Sequence, residues 1–242
     1  MSANPDLERV RQDIDRVDRA LLDLIAERLA LSADVRRAKA GAKLWRPSRE
    51  DSHVAHLADV ATDTGTPPAL VSRIWAELMS ASISVQGSTR IHVALEGDAR
   101  ANLSLIRDRF GGSLPVLSYP TSSNALAACY AEEEGIAVLP SPGGMTNWWT
   151  ALAPGGAMPE LRIVASLPRI EAGDWPRAVA VAAIDLDRGD FDQGGRILCV
   201  SEQALPGRKR AESGDLSLYE VPATETVDKA GVIGYLPPPV SV

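Results

Sequence analysis

Apolar residues recur along the first 40 positions at alternating steps of three and four, the spacing that lines one face of a helix. A seam of this length exceeds that of an ordinary globular helix, so it indicates a second helix packed along it as in a coiled coil. Gly41 and the Trp45-Arg46-Pro47 run are expected to end this helix. The apolar positions are Leu7, Val10, Ile14, Val17, Leu21, Leu24, Leu31, Val35 and Ala38.

Two further helices are predicted before residue 87. The second should span residues 48–62. Thr66 should cap a third helix whose first turn contains proline and which ends near Gln86. The inner face of the second helix is expected to carry Val54, Leu57, Ala58 and Ala61.

The pattern changes after Gly87, where short β-prone runs alternate with helical segments. This alternation predicts an α/β layer with a mostly parallel sheet. The sequence therefore predicts a multidomain protein, with an all-α three-helix domain at residues 1–88 and an α/β domain at 89–242. The proline run at 237–239 is expected to be irregular. Strands are predicted at 91–95, 114–117, 136–139, 161–164, 178–182, 197–200 and 232–235, and helices at 99–110 and 122–134.

Composition narrows the class of protein. The net charge of −7 argues against a nucleic-acid binder, and no window holds the ~20 apolar residues of a membrane span. The charged N-terminus has no secretory signal pattern. The two cysteines, Cys129 and Cys199, lack metal-ligand spacing and are interpreted as core residues. A cytoplasmic location is the expectation.

One position of the apolar seam holds a cation. Arg28 occupies a core position of the heptad pattern, where a buried guanidinium needs an anion or a carboxylate partner. A structural partner such as Glu27 would explain an isolated arginine. However, if two copies of the helix packed antiparallel, Arg11 of one chain would lie between Arg28 and Lys39 of the other. Three cations around one cavity favour a ligand with more than one carboxylate.

The third helix also interrupts its own apolar stripe. Ser82 and Gln86 follow Val71, Trp75 and Leu78 at the same helical spacing. Polar residues at these apolar positions are compatible with a helix end that is exposed to solvent or with a polar binding site. Similarly, Glu50 in the first turn of the second helix is either a helix-dipole acid or a ligand contact.

Residues 7–86 closely resemble the all-helical (AroQ-type) chorismate mutase family. The resemblance lies in the run RxxIDxxDxxLLxLIAER from Arg11 to Arg28, in RAK ending at Lys39, in RPSRE ending at Glu50, and in SxxxQ from Ser82 to Gln86. It implies a three-helix chain that dimerises through its long first helix. It also implies an isomerase that rearranges chorismate to prephenate without a metal or cofactor, in the synthesis of phenylalanine and tyrosine.

The resemblance also implies a role for each residue. Arg28 and Arg11 of the partner subunit would hold the substrate carboxylates, because guanidinium binds carboxylate bidentately and stays charged. Lys39 and Gln86 would face the ether oxygen, which gains negative charge as its bond breaks. Ser82 would support a carboxylate, and Glu50 lies at the position that contacts the ring hydroxyl.

The chain departs from some family members at two positions of the second helix. Val54 stands where those members carry an acid, and His53 stands where they often carry arginine. The expected contacts to the hydroxyl and to the ring carboxylate of the substrate depend on these two positions.

The C-terminal part is similar, in its order after a mutase and in the run EEEGIAVLPS at 132–141, to a prephenate dehydratase domain. The Thr-Arg-Phe motif of that family occurs nowhere in the chain, so dehydratase activity is not expected. Two alternatives to a mutase stay open: a bifunctional mutase and dehydratase, and a non-catalytic helical dimer that carries an α/β sensor of an aromatic metabolite.

Overall fold

One long helix, α1 (Pro5–Ala38), follows from the heptad seam of the N-terminal segment. The computed structural model describes residues 5–38, 43, 45–143, 146–170, 173–186 and 194–240. Contacts divide the chain into two units, Met1–Ala42 and Lys43–Val242. The first unit contains α1, and all other elements belong to the second. The predicted domain limits, 1–88 and 89–242, differ from the limits of these two units and remain a prediction.

The second unit begins with the two other predicted helices, α2 (Pro47–Asp63) and α3 (Pro68–Gln86). Both start with proline, whose fixed φ suits a first helical turn. Thr66 does not cap α3, contrary to the prediction. The capping residue is Pro67, while the backbone N–H of Thr66 donates to the Ala61 carbonyl over 2.9 Å and closes the end of α2.

A nine-stranded sheet with two helices forms the rest of the second unit. The strand order is β2-β1-β3-β5-β4-β9-β6-β8-β7. Two short 3₁₀ helices, at Trp148–Leu152 and Lys229–Gly231, lie in the connections. The strands are β1 (Arg90–Val93), β2 (Val116–Ser118), β3 (Gly135–Pro140), β4 (Arg162–Leu167), β5 (Ala178–Ala182), β6 (Arg196–Ser201), β7 (Arg208–Ser213), β8 (Leu216–Pro222) and β9 (Val232–Leu236), and the helices are α4 (Ala99–Phe110) and α5 (Ser122–Tyr130).

The α/β class is confirmed, but the expectation of a mostly parallel sheet is wrong. β1 is parallel to β2 and β3, and β4 is parallel to β9. All other pairings within the described strands are antiparallel. The reason lies in the connections: α4 and α5 supply the crossovers among β1, β2 and β3, and no α-helix follows β3 in the described part of the chain.

The sheet has a hydrophobic cluster on each face. One cluster packs α5 and the fully buried Trp149 against residues of β3 and β4. The other packs α4 against the opposite face and includes Trp45 and Ile83 of α3. Trp45 and α3 thus share a core with the sheet.

The proline run at 237–239 has no regular secondary structure, as expected, but the residue after it is anchored. Val240 forms an isolated bridge with Ile170 and is buried against Val54 and Ala58 of α2.

Within the described residues, no helix is long and apolar enough to cross a membrane.

Candidate active site

α1 carries two of the predicted substrate-binding residues at widely separated positions. Arg11 is exposed and lies 3.7 Å from Glu8 one turn before it. Arg28 is half-buried, and its backbone carbonyl accepts a hydrogen bond from the Ser32 hydroxyl over 2.9 Å. Lys39 lies outside the described residues. Seventeen residues separate Arg11 from Arg28 within α1, which is about 25 Å at 1.5 Å per residue. One small molecule cannot contact both arginines of the same chain.

The apolar seam of α1 is exposed in the single chain. Eight large apolar side chains of α1, seven of them in the seam, each keep between 45% and 65% of their surface accessible. Apolar patches of this extent are rare on monomers and mark surfaces that bind another molecule. These residues are Leu7, Val10, Ile14, Val17, Leu21, Leu22, Leu24 and Leu31.

Ser82 and Gln86 lie one turn apart on α3, so their side chains share one face of the helix. Ser82 is buried and donates a hydrogen bond to the Leu78 carbonyl over 2.8 Å. Gln86 is half-buried in the last turn.

Glu50, in the first turn of α2, is bound by three donors of the second unit. Its Oε1 accepts from Arg109 Nη1 over 3.3 Å and from Arg169 Nη2. Its Oε2 accepts from the Trp45 indole N–H over 3.0 Å. Glu50 therefore does more than interact with the dipole of its own helix, because α4 and the segment after β4 supply hydrogen-bond donors to it.

Asp51 completes a buried ion cluster with Glu50. Arg109 binds the Asp51 carboxylate with two nitrogens, at 2.7 and 3.2 Å, and Arg169 Nε lies 3.1 Å from it. Burial raises the pKa of the Asp51 carboxyl, and attraction to Arg109 and Arg169 opposes that shift. Burial also lowers the pKa of the Arg109 guanidinium, and the two carboxylates oppose it.

Sequence reasoning missed Arg109 and Arg169. A signal for Arg109 exists, because it falls among Leu105, Ile106 and Phe110 on the buried face of α4, where an aliphatic residue is expected. A charge at such a position requires a buried partner. No comparable signal marks Arg169, which lies in a loop.

The two departures from the family pattern differ in their environment. Val54 is fully buried with Ala58 and Val240 in an apolar cluster, so the helix uses this position for packing. His53 is exposed on the same helix.

Both cysteines are buried, as predicted for core residues. Burial raises the pKa of the Cys129 thiol to about 12 and that of Cys199 to about 11, so neither is poised as a nucleophile. Among the described residues, no three His, Cys, Asp or Glu side chains come together as a candidate metal site.

Comparisons with known proteins identify the N-terminal third. Residues 10–87 match the family model "Chorismate mutase type II", a segment that contains all six predicted site residues. The chain is also 39% identical over 79 residues to the T-protein of Enterobacter agglomerans, which corresponds to 32% of this chain and 21% of that protein. The chain thus spans about a fifth of the length of this relative. No solved structure matches the chain.

The family match ends at residue 87, so the likeness of the C-terminal part to a prephenate dehydratase stays a prediction. The matched segment comprises most of α1 together with α2 and α3. Its family is one of isomerases in aromatic amino acid biosynthesis, which indicates an enzyme. Residues 10–87 are therefore similar to a type II chorismate mutase domain.

Proposed function

We propose that this protein is a chorismate mutase that converts chorismate to prephenate as a homodimer assembled through α1. The observation that carries the proposal is the family match over residues 10–87. Within it, Arg11, Arg28 and Lys39 supply cations for a dianionic substrate, and Glu50, Ser82 and Gln86 supply polar contacts. The reaction is a pericyclic rearrangement within one molecule. The protein therefore needs no nucleophile of its own.

Catalysis in this proposal has two sources. The cations bind both carboxylates and select the compact substrate conformer in which the reacting carbons touch, which is catalysis by orientation. Lys39 and Gln86 then donate to the ether oxygen, where negative charge develops in the transition state. The separation of Arg11 from Arg28 along α1 supports a site that takes Arg11 from the partner subunit.

Homodimerisation has further support in the exposed apolar seam of α1. A second copy of the same helix, running antiparallel, would cover that seam and bring each Arg11 toward the Arg28 of the other chain. We further propose a cytoplasmic location, which is typical of this pathway.

Chorismate loss followed by ultraviolet absorbance tests the proposal directly. We expect rapid turnover that stops at prephenate at neutral pH. Phenylpyruvate at neutral pH would instead favour the bifunctional mutase and dehydratase. Absence of turnover would contradict the mutase and favour the non-catalytic dimer.

Arg28→Leu separates a catalytic arginine from a structural one. We expect kcat/KM to fall about a hundredfold or more, while the dimer keeps or gains stability because an aliphatic side chain suits the seam. A structural ion-pair member would give the opposite result, with loss of stability.

Lys39→Ala should reduce kcat/KM, whereas Lys43→Ala, which removes a surface bond to the Glu133 carbonyl, is the matched control.

A further inference from the structure

The charged cluster around Glu50 connects the mutase domain to the part of the chain that follows it. Glu50 and Asp51 come from α2, Arg109 from α4, and Arg169 from the segment after β4. Two carboxylates face two guanidiniums, so the charges balance. Arg109 and Arg169 are almost completely inaccessible, and Asp51 is also buried.

The bonds to Glu50 fix the orientation of its carboxylate. An ionised carboxylate offers about four acceptor positions, two on each oxygen. Arg109 and Arg169 take both positions on Oε1, and the Trp45 indole takes one on Oε2. Among the described residues nothing else binds Glu50, so one acceptor position on Oε2 remains for a further donor.

The donors are themselves held in place. Arg109 binds Asp51 bidentately, and its guanidinium lies 5.9 Å from the centroid of the Trp45 ring and 5.8 Å from that of Phe110. Arg169 also donates to the Arg109 carbonyl over 3.3 Å. A support of this kind preorganises a binding group, because the carboxylate cannot rotate without breaking several buried bonds.

The arrangement is not what stability alone would select. Within the described residues, Arg169 Nη1 is buried without a hydrogen-bond partner, which costs free energy. Asp51 and Arg109 already form a complete bidentate pair. Arg169 adds a second buried charge, and its Nη2 binds Glu50.

Val54, one helical turn after Glu50, explains why Glu50 needs this support. Val54, at the position where some family members carry an acid, is packed in an apolar cluster and cannot accept a hydrogen bond. Asp51 is bound through both of its oxygens by Arg109. Of these three residues of α2, Glu50 is the one that stands where the family resemblance places the contact to the ring hydroxyl, and it keeps an acceptor position on Oε2.

We propose that Arg109 and Arg169 are positioning residues that aim the remaining acceptor of Glu50 at the ring hydroxyl of the substrate. The inference rests on the proposed mutase function and extends it, since it assigns the segment after residue 88 a part in substrate recognition. Neither arginine touches the substrate in this mechanism, and both act through Glu50.

A double-mutant cycle in the full-length protein tests the inference. Glu50→Gln and Arg169→Gln should each lower kcat/KM for chorismate by about tenfold or more, mainly through a higher KM, as loss of a hydrogen bond to a charged group predicts. The double variant should lose no more than either single variant, because both changes disable one contact. Arg169→Lys, which keeps one donor and the charge, should recover part of the loss.

An analogue of chorismate that lacks the ring hydroxyl gives a second readout that a structural role would not affect. The unsubstituted protein and Arg169→Gln should convert this analogue with equal kcat/KM. Arg196→Gln is the control, because Arg196 is a partly buried, paired arginine of the second unit that binds Glu220 and not Glu50.

Removal of one buried arginine can prevent folding, so circular dichroism must show each variant folded at the assay temperature. If Arg169→Gln does not fold, Asp51→Asn/Arg169→Gln removes one charge of each sign and still lacks the Arg169–Glu50 contact. Unchanged kcat/KM in a folded variant, or equal losses with chorismate and the analogue, would overturn the inference while the mutase function stands. Absence of turnover by the unsubstituted protein would overturn both.

Discussion

At the scale of single residues, His92 shows how the second unit uses polar groups in its interior. His92 is almost completely buried in β1, and both ring nitrogens have partners. Nε2 lies 3.2 Å from Glu132 Oε2, and Nδ1 lies 3.0 Å from the Tyr119 hydroxyl. Because a carboxylate only accepts, Nε2 of His92 donates the hydrogen bond to Glu132. Arg90 donates to the other oxygen of Glu132 over 2.9 Å.

These bonds predict acid sensitivity at Glu132. Partial burial opposes ionisation, but hydrogen bonds from Arg90 and His92 outweigh it and hold the pKa of the Glu132 carboxyl below its usual range. A lowered pKa in the folded state stabilises the fold at neutral pH, and this contribution disappears as the pH falls through that pKa. Urea unfolding should therefore show the unsubstituted protein more stable than Glu132→Gln at pH 7, with the difference shrinking below about pH 4. A difference that is the same at both pH values would contradict the assignment.

The candidate site could be predicted from the sequence only where a residue breaks a pattern in its own element. Arg28 breaks the seam of α1, and Ser82 and Gln86 break the stripe of α3. The partners of Glu50 could not be found this way, because Arg109 and Arg169 lie 59 and 119 residues further along the chain. Their proximity is a product of the tertiary fold.

At the scale of elements, the exposed apolar seam of α1 indicates that another helix packs against it. If each site combines Arg11 of one chain with Arg28 of the other, two inactive variants should complement each other. A heterodimer of Arg11→Ala and Arg28→Ala chains contains one intact site and one doubly altered site. After subunits exchange in an equal mixture, about half of the dimers are mixed, so activity should recover to about a quarter of the unsubstituted level.

The measurement is chorismate turnover before and after the two variants are mixed and allowed to exchange. The control is each variant incubated alone under the same conditions. No recovery after demonstrated exchange would mean that both arginines serve one chain or that one of them has no role.

Sequence patterns predicted all five α-helices and every described strand except β7 and β8. The predicted limits of α4 agree with those found, because Asp98 caps it and Gly111 ends it. The β7–β8 hairpin was missed, since β7 carries Arg208, Lys209 and Arg210 and lies at the edge of the sheet. The Gly214-Asp215 turn between the two strands is the signal that could have shown it.

Gly234 is the point where β9 meets β4. Its pairing with Ile163 is the one register pair between these strands, and a Cβ at Gly234 would lie 2.6 Å from Ile163 Cβ. Gly234→Ala should therefore lower the free energy of unfolding by about 1–3 kcal/mol through overpacking. Gly112→Ala is the control, because among the described residues its Cβ would meet the Glu77 carboxylate oxygens, at 3.6 and 3.8 Å. Equal unfolding midpoints for the two variants in urea would contradict the expectation.

At the scale of the whole molecule, α2 and α3, which lie in the segment matched by the family model, are built into the second unit. Trp45 and Ile83 pack with Phe110 of α4, and Val54 packs with Val240. The change of pattern near residue 88 correctly predicts where the sheet begins. Periodicity could not reveal that the helices before that point share a core with the sheet.

A fragment of residues 1–88 should consequently be less stable than the same segment in the full chain. It would expose Trp45 and leave Glu50 and Asp51 without Arg109 and Arg169, and loss of buried ionic partners costs about 3–5 kcal/mol. Thermal unfolding followed by circular dichroism should show a lower midpoint or no cooperative transition. A fragment that unfolds cooperatively at the midpoint of the full chain would show instead that residues 1–88 are an independent domain.

The place of β9 in the sheet also has a consequence for protein synthesis. The last strand in sequence lies between β4 and β6, so it alone joins the part of the sheet made earlier to the β6–β8–β7 part. While the ribosome is translating the chain, each part can form its own pairs, but the two cannot join until residues 232–236 have left the exit tunnel. A nascent chain halted before that point would present two open strand edges, which are templates for aggregation. Chaperones should therefore bind a nascent chain halted before residue 232 more strongly than one in which β9 has left the tunnel.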